Sequence, residues 1–164
     1  MALSMTGTPR MRAIGAILGM TLLGGCAYFS EPTAQPAVPA IQQSYASSIP
    51  TEKLVGKWGI ASFRDEADRP RTEKEARSQC RQPYVIAKGP TDGVLMHVAD
   101  DAKLYELKLK GGPDGRTYLG FEAPPGHKQD REILSYSDDV IVMSFVTPSI
   151  AERYGTFVYV RCPS

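Results

Sequence analysis

Between residues 54 and 162 the chain repeats a short unit in which apolar and polar positions alternate and a cluster of Gly, Pro, Asp or Ser follows. Alternation with period two marks a strand that turns one face to a core. Leu54 to Phe63 is the first such run, with Trp58, Ile60 and Ser62 on one face. Tyr84 to Lys88 and Val94 to Val98 follow, parted by Gly89-Pro90-Thr91-Asp92-Gly93. Leu104 to Lys110 alternates most cleanly: Tyr105, Leu107 and Leu109 share one side, while Glu106, Lys108 and Lys110 share the other. That pattern predicts a solvated outer face. Gly111 to Gly115 predicts a hairpin, because Asp114-Gly115 supplies left-handed backbone at low cost. Arg116 to Phe121 is the next strand, and a polar loop spans Glu122 to Arg131. Glu132 to Tyr136, Val140 to Val146 and Gly155 to Cys162 complete the set.

The strand pattern is interrupted twice. Thr72-Glu73-Lys74-Glu75 has capping-box spacing and predicts a short helix over Thr72 to Cys80, stopped by Pro83. Ser149 and Glu152 repeat that spacing and predict one helical turn, Ser149 to Tyr154. Eight short strands with one helix after the first, within about 110 residues, predict an all-β fold. The expected architecture is a small eight-stranded antiparallel barrel, with a sandwich as the alternative. Closure removes the edge strands that otherwise template aggregation.

Upstream the pattern changes. Ala27 to Pro50 has neither period, and Pro32, Pro36, Pro39 and Pro50 stand among Ala, Gln and Ser. This reads as a tether over residues 26–50, ahead of a barrel domain at 51–164. Ahead of the tether, Arg10 and Arg12 precede twelve largely apolar residues, Ala13 to Gly24. That order marks residues 1–25 as a targeting segment, and the run is short of the roughly 20 residues that span a bilayer. Leu23-Gly24-Gly25-Cys26 resembles the lipobox of bacterial lipoproteins. The resemblance implies cleavage before Cys26, a diacylglyceryl group and palmitate on that cysteine, and a chain that faces the periplasm and is held to a membrane by lipid alone. Ala27 in place of Asp resembles the arrangement that passes such proteins to the outer membrane.

Charge and cysteine count sharpen this picture. The sequence holds 19 basic and 18 acidic residues, and loss of Arg10 and Arg12 leaves 17 against 18, a formal charge of −1. So even a balance argues against a nucleic-acid partner, which needs a basic stripe to displace phosphate counterions. With Cys26 taken by lipid, Cys80 and Cys162 are an even pair in an oxidising compartment and are expected to form a disulfide.

Candidate chemistry is sparse. His97 and His127 lack metal-ligand spacing, and no G-x-S-x-G elbow is present. No catalytic residue, metal or cofactor is expected. The tyrosines of the strands read either as core or as an aromatic-lined pocket, with Trp58, Tyr105 and Tyr118 as the ligand candidates. Gly56-Lys57-Trp58 resembles the G-x-W that opens lipocalin-type barrels, where the Trp closes one end. The same triplet resembles that of small secreted barrels that inhibit alkaline metalloproteases, whose N-terminal trunk blocks the protease cleft. That likeness makes Ile49 to Leu54 the corresponding stretch. The expectation is a non-catalytic, lipid-anchored periplasmic barrel that binds a ligand or supports the envelope, with an envelope protein as partner. The alternatives are a periplasmic protease inhibitor and a carrier of a small apolar ligand.

Overall fold

The computed structural model describes residues 45–163, so the targeting segment, Cys26 and the tether up to residue 44 lie outside the described residues. Eight strands run as β1 Gly56–Phe63, β2 Tyr84–Lys88, β3 Val94–His97, β4 Leu104–Gly111, β5 Thr117–Gly120, β6 Arg131–Tyr136, β7 Val140–Phe145 and β8 Thr156–Arg161. Each pairs with the next, and β8 returns to β1 along a register from Trp58↔Arg161 to Phe63↔Thr156. The sheet is therefore a closed antiparallel barrel, not a sandwich.

Alternation sends Trp58, Ile86, Met96, Leu107, Leu119, Ile141 and Met143 into one interior cluster. A second cluster lies on the outer face of β7 and β8, where Val142, Val158 and Val160 pack with Phe63 and Ala76. Helix α1, Arg69–Ser78, covers that face, which is why β8 is apolar on both sides. Gly59 permits the approach: a Cβ there would stand 1.9 Å from the Ala76 carbonyl oxygen.

Helix α1 starts earlier than the capping-box spacing predicts. A single 3-10 turn, Glu66–Asp68, leads in, with the Asp65 carboxylate accepting from the Ala67 amide. Pro70 then occupies the first helical turn, where a fixed φ and a missing donor cost nothing. Thr72 is an interior residue whose hydroxyl donates to the Asp68 carbonyl at 3.0 Å. Helix α2, Pro148–Tyr154, likewise has a proline in its first turn and leaves Ser149 inside. In the hairpin after β4 only Gly115 is left-handed, at φ 78°, while Asp114 accepts from the Arg116 amide. In β6 the ladder slips between Ile133 and Ser135, leaving Leu134 52% exposed.

One end of the barrel is plugged. Residues 45–50, expected in the tether, belong to this plug: the Gly111 amide donates to the Tyr45 carbonyl at 2.9 Å, and Ile49 is buried with the interior cluster. The 3-10 turn Thr51–Lys53 then brings Leu54 over the opening, where the buried Trp58 donates its indole N–H to the Leu54 carbonyl at 2.8 Å. Arg161 lies over the Trp58 ring at 4.1 Å and donates to the carbonyls of Lys53, Val55 and Asp138. Gly56, at φ 145°, leaves room for that guanidinium, since a Cβ would meet Arg161 Nη1 at 2.8 Å. Just beyond, Cys80 and Cys162 form a disulfide with a Cα–Cα distance of 5.4 Å.

Candidate functional site

The opposite end holds a cavity of about 190 Å³. It sits where β7 ends, β8 begins and α2 crosses, so Phe145, Tyr154, Phe157 and Tyr159 converge from three consecutive elements. Their rings pack at tilted or edge-on angles, with Phe145 and Phe157 centroids 6.1 Å apart and Phe157 and Tyr159 6.2 Å apart. An apolar cavity of ~150 Å³ is known to admit benzene, so this one suits a single ring or a short chain.

Arg131 is its polar element. As the first residue of β6 it pairs with Phe145 and turns inward, with its guanidinium 4.7 Å from the Phe145 ring centroid. Nη2 donates to the His97 carbonyl at 2.7 Å, whereas the buried Nε has no acceptor among the described residues. The side chain is nearly enclosed, at 6% exposure, and no ion pair among the described residues includes it. Two phenols share the cavity. The Tyr84 hydroxyl accepts from the His97 amide at 2.9 Å and lies 3.2 Å from His97 Nδ1. Burial pushes the Tyr84 phenol upward, against the His97 amide and the Arg131 charge. Burial pushes Tyr159 up to about 12, with Arg131 again opposing, so both hydroxyls stay protonated at neutral pH.

The rim is latched. Asp100, left-handed at φ 61°, accepts from the Tyr154 hydroxyl and pairs with Arg153. Arg64 holds the same helix end by donating to the carbonyls of Glu152 and Arg153. The Tyr154 hydroxyl and then Arg153 hold the Asp100 carboxyl below its ordinary value of 3.8. A depressed carboxylate contributes above its unfolded pKa and loses that contribution as pH falls through the folded value. The latch is therefore intact at neutral pH and opens only below 3.8. Amide resonances of Arg153 and Tyr154 are expected to shift with a midpoint under that pH, and Asp100→Asn is expected to remove the transition. A midpoint at or above 3.8 would contradict the latch.

A second polar device fixes the loop beside the cavity. The Lys110 ammonium reaches Asp130 at 2.7 Å and the carbonyls of Phe121 and Ala123 at 2.9 and 3.0 Å. Asp130 is fully buried and also accepts from the His127 amide at 3.0 Å. Gly120 makes space for it, because a Cβ would fall 1.9 Å from Asp130 Oδ1. The outer face of β4 is thus not uniformly solvated as its alternation predicts: the 122–130 loop covers Lys110. Glu106, on that same face, clasps the turn after β2 by accepting from the Thr91 and Gly93 amides at 2.7 and 2.9 Å. Since Asp130 is pinned outward, the next residue, Arg131, must point into the barrel.

The aromatic candidates read from sequence lie elsewhere. Trp58 seals the plugged end, and Tyr118 faces outward with its hydroxyl 3.4 Å from Asp114. Tyr105 points inward against Phe121, with centroids 5.4 Å apart, but its hydroxyl is taken by Asp101. None of the three lines the cavity. His97 lies at the cavity and His127 in the covering loop, and among the described residues no group of three His, Cys, Asp or Glu is placed to hold a metal ion. Arg131 was hidden at the end of a polar loop, although its spacing of two from Ile133 places both on the inner face. No protein-family profile, curated protein or solved structure matches this chain.

Proposed function

We propose that this chain is a lipid-anchored protein of the bacterial envelope whose barrel works by binding a small ligand, without catalysis. The observation that carries the reading is the aromatic cavity at the unplugged end, built from Phe145, Phe157 and Tyr159 beside Arg131. Its aromatic walls leave space where a guest can supply missing contacts. The anchor rests on the residues around Cys26, and its attachment leads into a chain that enters the barrel at the plugged end.

The inhibitor reading is less well supported. It needs Ile49 to Leu54 as a free trunk, yet Ile49 and Leu54 are buried in the barrel. Removing those residues would unplug the barrel before it tested any inhibition.

Binding is tested by thermal denaturation of the full chain in detergent micelles with toluene or phenol. A ligand at 100 times its dissociation constant stabilises by about 2.7 kcal/mol, enough to raise the melting temperature by several degrees. An unchanged melting temperature with both compounds would refute the reading. The anchor is tested by palmitate labelling: label on the wild type and none on Cys26→Ser is expected, and a Cys26→Ser chain still held by the membrane would contradict it.

A further inference from the structure

The cavity's charge goes beyond what an apolar carrier needs. Arg131 is a permanent cation within a mostly aromatic enclosure, and no carboxylate among the described residues pairs with it. The Phe145 face and the His97 carbonyl offset part of that isolation. They do not complete it: among the described residues Nη2 has the His97 carbonyl as its acceptor, and the buried Nε has none. Buried guanidinium groups are ordinarily matched by an anion, because an unpaired charge in an apolar site is unfavourable. The nearest acidic side chain in sequence, Asp130, is committed outward to Lys110. Asp100, at the rim, is committed to Arg153 and Tyr154. The carboxylates of the described residues thus leave the inward arginine without an ion pair.

We infer that the ligand is a small carboxylate with an apolar ring or short chain, its anion set against Arg131 and its body among Phe145, Phe157 and Ile60. This rests on the binding reading above and adds the ligand's charge and orientation. A guanidinium suits a carboxylate because the planar fork can donate two parallel hydrogen bonds. The protonated phenol of Tyr159 lines the same space and carries no negative charge to repel the guest. The cavity's size selects against long acyl chains and large dyes. The Asp100 latch stands beside the cavity, where it holds Tyr154 in the lining.

Benzoate and benzamide separate the two levels of the account, since they share size and shape but differ in charge. Calorimetric titration of the full chain in zwitterionic micelles, corrected for micelle blanks, is expected to show benzoate binding at least tenfold more tightly. Arg131→Met is expected to bring benzoate down to the level of benzamide. Equal affinity of the wild type for both compounds would overturn the anion inference and leave the cavity reading standing. Absence of binding by either would overturn both. A benzoate preference that survives in Arg131→Met would remove Arg131 from the site. Should that variant not fold, the comparison on the wild type still decides the charge of the ligand.

Discussion

Replacing Cys80 and Cys162 together by Ser is expected to lower the melting temperature by about 15 °C. The bond joins residues 82 apart, tying the segment after α1 to the residue after β8. Cross-linking so long a loop removes entropy from the unfolded chain worth about 4 kcal/mol in the chain-entropy model. For a domain of this size each kcal/mol moves the midpoint by roughly 4 °C. The position adds a reason for the effect to be felt locally. Helix α1 docks on β1 and β8 through a small cluster around Ala76, Val158 and Val160, and the disulfide closes the far end of that contact. The cavity lies at the other end of the barrel, so ligand binding below the midpoint is expected to survive reduction. Coincident melting curves with and without reductant would contradict the assignment of the bond as structural.

Lys110→Met is expected to destabilise the barrel by about 3–5 kcal/mol, the usual result of leaving one member of a buried ion pair alone. Asp130→Asn should cost less, about 1–3 kcal/mol, and the asymmetry follows from the partners. Without its carboxylate, Lys110 retains the carbonyls of Phe121 and Ala123 and a longer contact to that of Pro124. Without Lys110, the fully buried Asp130 carboxylate keeps, among the described residues, the His127 amide as its hydrogen-bond donor. Urea denaturation of both variants and of the double mutant measures the difference. Equal midpoints for the two single variants would contradict this account of the loop. The effect reaches the cavity as well, because the staple fixes the residue before Arg131 and hence the direction that the guanidinium takes.

The strands and their order were legible because each carries its own signal: alternation in 104–110, an Asp-Gly turn at 114–115, Ser137-Asp138-Asp139 between β6 and β7. Closure was inferred from strand count, and the β1–β8 register realises it. Helix starts differ from the sequence expectation because both capping-box spacings lie inside helices that carry a proline in the first turn. The site was less legible for a different reason. Lys110 and Asp130 look like ordinary surface charges until a loop folds one over the other, a contact between residues 20 apart that no local pattern encodes. The aromatics show the same dependence on distant contacts. Trp58, Tyr105 and Tyr118 stand in clean strand patterns, but which end of a barrel is plugged depends on the 45–55 segment and Arg161.

The central claim is that the unplugged end of the barrel receives a small guest, and intermolecular nuclear Overhauser effects from bound toluene test it most directly. The account predicts contacts from the toluene ring to Phe145, Phe157, Ile60 and Val98, which line one cavity. Contacts confined to the exposed apolar residues Val85 and Leu134 on the outer surface, with none to the cavity, would contradict it.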